Sequence, residues 1–212
     1  VINDQNWQKG RETYLALNQL GSTYLQFNPI VERQTKTQSV TDFSVPSEGY
    51  GQFLVDVFHE WYAHDVGKIY VSQFDNLLGQ WLGCPSTTCV HQPTCGQSLV
   101  AEANGDVYAC DHFVYPEYKM GNLTQQPLTE IVLSSKQQQF GLEKSQKLTA
   151  LCRRCEFRKL CYGGCPKHRF VSLENEPNPH NYLCASYRYF FEQTALYMQA
   201  MARQIRLHPS AA

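Results

Sequence analysis

An excess of charge of either sign is missing from this sequence. Eighteen Lys and Arg stand against nineteen Asp and Glu, for a formal net charge of −1. That balance offers no field to draw in nucleic acid or acidic lipid. No apolar run approaches the roughly 20 residues of a membrane span, so neither a nucleic-acid nor a membrane partner is expected. Internal repeats and low-complexity tracts are missing too, which excludes a repeat array. The opening Val1-Ile2-Asn3-Asp4 lacks an initiator methionine and does not read as a signal peptide. It reads as mid-protein sequence, so the 212 residues are expected to be a piece of a longer, cytoplasmic parent.

What is present is enough to fold. Hydrophobic residues make up 42% and charged residues 17%, which permits a packed core in one large domain or two small ones. The first third predicts alternating helices and strands. Residues 8–20 have helical spacing at Tyr14, Leu17 and Leu20, with Gly21 as a stop. Residues 22–29 and 68–72 read as short strands, and 33–45 as a polar loop. Between them lies an amphipathic helix with Phe53, Leu54, Val57, Phe58 and Trp61 on one stripe and Pro46 near its first turn. This order suits the closing units of an α/β barrel. Beyond residue 73 regular elements shorten. Residues 98–103 and 107–110 flank Asn104-Gly105, a strong hairpin signal. Residues 128–141 predict a helix, 152–169 a compact loop, and 182–206 a long helix striped by Tyr187, Phe190, Phe191, Thr194, Met198, Met201 and Ile205.

Cysteine is the informative residue. There are nine, and eight follow Cys84. The odd count and the lack of an export signal fit disulfides poorly, which leaves metal or iron–sulfur ligation as the better reading. Cys89 and Cys95 are five residues apart (CVHQPTC). Nine residues then lead to Gly105 and four more to Cys110. The run CRRCEFRKLCYGGC supplies Cys152, Cys155, Cys161 and Cys165, and Cys184 follows eighteen residues later. Thiolates are soft donors, and four converging on one point suit zinc or an iron–sulfur cluster. Short loops also aim backbone amides at the sulfurs of a net-negative cluster. The basic residues Arg153, Arg154, Arg158, Lys159, Lys167 and Arg169 either compensate that charge or form a solvated surface. From ligand chemistry alone, two zinc ribbons and two iron–sulfur clusters are equally open. A redox dithiol at Cys152/Cys155 lacks its strand–helix context, and Cys84, outside the pattern, reads as a buried thiol.

The spacing C-x9-G-x4-C, then C-x2-C-x5-C-x3-C and a last Cys, resembles the SPASM domain of radical-SAM peptide and protein maturases. The stretches CVHQPTC, GDVYACDHFVYPEYKMGN and CYGGCPKHRF resemble, more narrowly, the anaerobic sulfatase-maturating enzymes. The resemblance implies an α+β fold, with residues 1–72 the end of a radical-SAM, partial TIM-like barrel. Residues 73–212 would be a SPASM domain with a β-hairpin and a long C-terminal helix. It implies one [4Fe–4S] cluster on Cys89, Cys95, Cys110 and Cys165, and another on Cys152, Cys155, Cys161 and Cys184. It further implies oxidation of a Cys or Ser of a sulfatase polypeptide to Cα-formylglycine, with a flavodoxin- or ferredoxin-type electron carrier. Asp111 would be the base, although capping a turn is its plainer role.

Around these residues His112 and His168 read as donors to the sulfur of neighbouring ligands or, more plainly, as surface histidines. Tyr115, Tyr118 and Lys119 read as substrate-path residues or as an aromatic patch. Gly163-Gly164 reads as backbone at positive φ. No C-x3-C-x2-C motif is present. The third cluster and the S-adenosylmethionine it binds are therefore expected in a missing N-terminal part, and this chain alone should be inactive. A thioether-forming maturase and a non-catalytic zinc module are the alternatives.

Overall fold

The computed structural model describes residues 1–34 and 39–208, so positions 35–38 of the expected loop at 33–45 lie outside the described residues. Compactness divides the chain into two units, Val1–Ser86 with Tyr182–Ala212, and Thr87–Asn181. The sequence motifs divide it near residue 72 instead.

The first unit is built on aromatic burial. Helix α1 (Gly10–Gln19) ends at Gly21, whose φ of 82° supplies the left-handed stop. Leu20 was expected on the buried stripe but lies past the helix and is exposed, leaving Tyr14 as the core residue. Strands β1 (Tyr24–Leu25) and β2 (Tyr70–Val71) pair in parallel, joined through helix α2 (Gly49–His64). Both strands are shorter than their aromatic and β-branched content predicts. Helix α2 buries Phe53, Leu54, Val57, Phe58 and Trp61, the stripe read from the sequence. The region after residue 72, where regular elements were expected to shorten, begins with an eleven-residue helix, α3 (Ser72–Leu82). That helix closes in a Schellman cap: Gly83 adopts φ 96°, its amide bonds Gln80 O, and the Cys84 amide bonds Gly79 O.

The C-terminal helix, Cys184–Leu207, completes this unit by laying Tyr187, Phe190, Phe191, Met198 and Met201 against α2 and α3. Phe58, Phe74 and Phe190 form the centre, with ring centroids 5.3 to 6.4 Å apart. Gly51 marks the closest crossing. A Cβ there would strike the Ser186 carbonyl, and the Gly51 amide donates to Ser186 Oγ at 2.8 Å.

The second unit has little regular structure. Strands β3 (Val100–Ala101), β4 (Asp106–Tyr108) and β5 (Lys119–Asn122) form an antiparallel sheet, with Asn104-Gly105 in the first turn. The predicted helix over 128–141 is two helices, α4 (Leu128–Val132) and α5 (Ser135–Gln146). The break comes from Ser134, whose Oγ accepts from the Gln137 amide and starts a new N-terminus. The expected cysteine loop holds two short helices, α6 (Ala150–Arg154) and α7 (Arg158–Cys161). Strands β6 (Arg169–Val171) and β7 (His180–Asn181) close the unit. Among the described residues no helix is long and apolar enough to cross a membrane.

Candidate metal centre

Helix α5 sets the backbones of three cysteine-bearing segments. Gln137, Gly141 and Lys144 are buried along one stripe, at i, i+4 and i+7. Gln137 Nε2 donates to Gly96 O at 2.7 Å and Ala109 O at 3.3 Å, bridging the residues next to Cys95 and Cys110. Gly141 lets the helix touch the Cys95 segment: its carbonyl accepts from the Cys95 amide at 3.1 Å, and a Cβ would sit 2.6 Å from Cys95 O. Lys144 Nζ donates to Cys89 O at 2.5 Å and Val90 O at 2.9 Å.

The Cys161–Cys165 turn is held by a second set of polar side chains. Tyr162, Gly163 and Gly164 have φ of 47°, 72° and 62°, three left-handed residues in succession. The two glycines meet the sequence expectation, since this conformation strains residues that carry a Cβ. Their carbonyls are then collected by Arg169 and Asn181. Arg169 donates to Tyr162 O at 2.8 Å, Gly163 O at 3.1 Å and Lys144 O at 2.6 Å. Asn181 Nδ2 donates to Gly163 O at 3.0 Å and Cys165 O at 3.2 Å. Cys152 sits in the first turn of α6, where the Thr149 N-cap accepts its amide and His180 Nδ1 lies 3.7 Å from its sulfur.

None of the nine cysteines is in a disulfide. Burial pushes the Cys165 thiol up to about 11; the Lys167 amide opposes this, and the charges of Cys95 and Cys89 add to it. Burial also raises Cys110, to about 12, helped by Asp111 and by the charge of Cys165. Burial raises Cys95 too, with Lys144 pulling the other way and Cys89 adding to the rise. Cys165 thus feels the thiols of Cys95 and Cys89, and Cys110 feels Cys165. The partly buried Arg169 is depressed by burial and feels Cys152, Cys95, Cys161 and Cys165. Among the described residues, no three His, Cys, Asp or Glu side chains stand close enough to hold a single metal ion.

Two expectations from the sequence need correction. Cys84 is exposed rather than buried, because the Schellman cap of α3 turns the chain outward there. His168 is buried, not on the surface; desolvation depresses it to about 4, and its Nδ1 lacks a partner. Of the basic run, Arg153, Arg154, Arg158 and Lys159 are exposed, and Arg169 is the member that feels the thiols. Asp111 is exposed; its Oδ1 accepts from Cys110 Sγ and from the His112 amide, both at 3.0 Å. The Cys110 thiol lowers the Asp111 pKa. His112 Nδ1 lies 3.4 Å from Cys165 Sγ. Phe113, Tyr115, Tyr118 and Phe140 form an aromatic cluster, and Lys119 pairs with Asp106. Cys184 opens the C-terminal helix, in the other unit. The sequence reading missed Lys144, Gln137, Asn181 and His180. Only the stripe Gln137–Gly141–Lys144 left a trace, as polar residues at helical spacing.

The donor set fits an anionic group held by thiolates. Lys144 is 1% exposed, and among the described residues no carboxylate pairs with it or with Arg169. Buried cations without counter-charge are costly, and ligated thiolates supply that counter-charge.

A family model described as an iron–sulfur cluster-binding domain, SPASM, matches residues 89–156. That segment therefore matches a SPASM domain. Over almost its whole length the chain is also similar to anaerobic sulfatase-maturating enzymes. It is 40% identical to the serine-type enzyme of Bacteroides thetaiotaomicron, over 97% of this chain and 53% of the relative. It is 31% identical to the cysteine-type enzyme of Clostridium perfringens, over 91% of this chain and 52% of the relative. The solved structure of native anSMEcpe with bound AdoMet and Kp18Cys peptide superposes with a TM-score of 0.80 at 27% identity, covering 96% of this chain and 56% of that one. The chain spans about half the length of the curated relatives it matches.

Proposed function

We propose that this chain is the auxiliary-cluster part of a radical-SAM maturase that oxidises a Cys or Ser of a sulfatase polypeptide to Cα-formylglycine. Cys89, Cys95, Cys110 and Cys165 would hold one [4Fe–4S] cluster, and Cys152, Cys155, Cys161 and Cys184 a second. Bound clusters supply one-electron redox chemistry. The catalytic cluster, S-adenosylmethionine and the barrel strands that receive them belong, in this reading, to sequence before Val1. The parent then works on a sulfatase peptide and draws on a small external electron carrier.

The observation that carries the reading is the convergence of distant cysteine segments. Helix α5 holds the backbones at or next to Cys89, Cys95 and Cys110 through Lys144, Gly141 and Gln137, and His112, two residues after Cys110, places Nδ1 3.4 Å from Cys165 Sγ. Cys165 follows Cys161 by only four positions, yet its thiol keeps this company. The left-handed run Tyr162–Gly164 gives the chain its sharp turn between the two cysteines, and Arg169 and Asn181 fix that turn from behind.

Asp111 is the candidate base. In the thiol form Cys110 Sγ–H donates to its carboxylate. Ligation removes that proton, which leaves Oδ1 free to accept one from substrate. Being exposed, the carboxylate is open to a peptide from outside.

Anaerobic reconstitution tests the ligand assignment. About eight irons and eight sulfides per chain are expected, four of each per cubane. Cys165→Ala and Cys155→Ala should each lose about half, while Cys84→Ser keeps the full complement. Stoichiometric zinc in protein purified without oxygen would overturn the reading in favour of a zinc module.

A further inference from the structure

Several lysines and arginines elsewhere in this chain pair with carboxylates. Arg11 pairs with Glu60, Lys147 with Glu143, Arg188 with Glu192 and Lys119 with Asp106. Most of these cations are well exposed, and such pairs are worth little. Lys144 is the opposite case. It is the most deeply buried charged residue described, at 1% exposure, and it has no carboxylate within ion-pair distance. Its ammonium is tied to two carbonyls, Cys89 O and Val90 O, and its own carbonyl accepts from Arg169, a second cation. Like charges are thus concentrated where the dielectric is low.

Hydrogen bonds to a charged group are stronger than those between neutral groups. Burying an ion is nevertheless costly before its partners are counted. Two carbonyls therefore leave Lys144 close to balance at best, and they do nothing for the repulsion from Arg169. An anion fixed nearby would change the sign. Metal ligation creates one, because it deprotonates thiols and leaves the ligated cluster net negative.

We propose that Lys144 is a positioning residue whose buried positive charge compensates the thiolate-ligated cluster on Cys89, Cys95, Cys110 and Cys165 and raises its reduction potential. The inference rests on the ligand assignment above. Reduction adds an electron to an already anionic group, so a fixed cation at Cys89 favours the reduced form. Placement is part of the role. By holding Cys89 O and Val90 O, Lys144 anchors the CVHQPTC loop to α5, so its charge arrives with the ligand it serves. Arg169 plays the matching part at the Cys161–Cys165 turn, tied down by Tyr162 O and Gly163 O.

The test compares Lys144→Met, which removes the charge, with Lys144→Arg, which keeps it, in the full chain reconstituted without oxygen. Iron and sulfide content are measured first, and a redox titration followed by electron paramagnetic resonance second. Lys144→Arg should load and titrate like the unmodified protein. Lys144→Met should either lose about half its iron or titrate lower by about tenfold in the reduction equilibrium, about 59 mV for one electron. A Lys144→Met protein that retains full iron at the unmodified potential overturns the inference. So does a Lys144→Arg protein as impaired as Lys144→Met, since packing rather than charge would then explain both. If the unmodified chain takes up no iron and sulfide, the ligand assignment itself fails, which is a distinguishable result.

Discussion

The two compact units bury opposite kinds of residue. The unit of Val1–Ser86 with Tyr182–Ala212 encloses Phe53, Phe58, Trp61, Phe74, Phe190 and Met198, and its few buried polar groups are small, such as Ser186 and Thr194. Within Thr87–Asn181 the buried apolar residues are Val107, Ala109, Ile131, Leu148 and Cys165. They are matched by Gln137, Lys144, Thr149, His168, His180 and Asn181. The aromatic unit is held by the hydrophobic effect, at about 1.5–3 kcal/mol for each large side chain buried. The thiol unit has too little apolar surface for that. Its polar groups hold backbone carbonyls in place around the cysteines, an arrangement that becomes favourable once something binds there.

Metal removal should break the comparison most visibly. Without bound metal, amides over roughly residues 89–181 are expected to exchange quickly and the segment to be cut early by protease, while α2 and the C-terminal helix stay protected. Hydrogen exchange with mass spectrometry on metal-free and reconstituted protein checks this. Equal protection in both forms would show that the thiol unit stands on its own packing.

The next largest effect is in the other unit. Phe58→Ala removes the ring at the centre of the Phe74–Phe190 cluster and should cost about 3–5 kcal/mol, read as a lower urea midpoint. Iron content per folded chain should not change. A loss of iron with no loss of stability would contradict the division of labour.

A smaller effect sharpens the picture inside the thiol unit. Gly163→Ala places a Cβ at φ 72°, 2.5 Å from Leu148 and 2.8 Å from Arg169 Nη2. The left-handed strain alone is worth about 1–3 kcal/mol. The signature is iron retention: faster loss to a chelator than in the unmodified protein, with the urea transition of the aromatic unit in place.

Legibility followed the same division. The α2 stripe and the long C-terminal helix were readable because helical period and apolar burial coincide over many residues, as with Phe53, Val57, Phe58 and Trp61. The Asn104-Gly105 turn and the glycines at 163 and 164 were readable because positive φ has few other occupants. Short elements were not. Strand β5 follows a single turn of 3-10 helix, and α6 and α7 are five and four residues long, too short for any period to show. The break at Leu133-Ser134 hid because serine is unremarkable until its hydroxyl has an amide to cap. Lys144 hid for the opposite reason: a lysine on a polar helix reads as solvated unless the fold covers it.

The sequence by itself determined the chemistry on offer. Eight thiols at SPASM spacing, two glycines between the last close pair, and an acid beside Cys110 are facts of order along the chain, since local spacing limits which atoms a short loop can bring together. Only the tertiary structure decided the company those groups keep: that Cys165 feels Cys89 and Cys95, that Cys110 feels Cys165, that the basic residue beneath Cys89 is Lys144, and that His168 is buried while Cys84 is not. Burial and charge compensation are properties of groups brought together from distant positions. They exist only once α5, the Cys161–Cys165 turn and the segment bearing Cys110 have met.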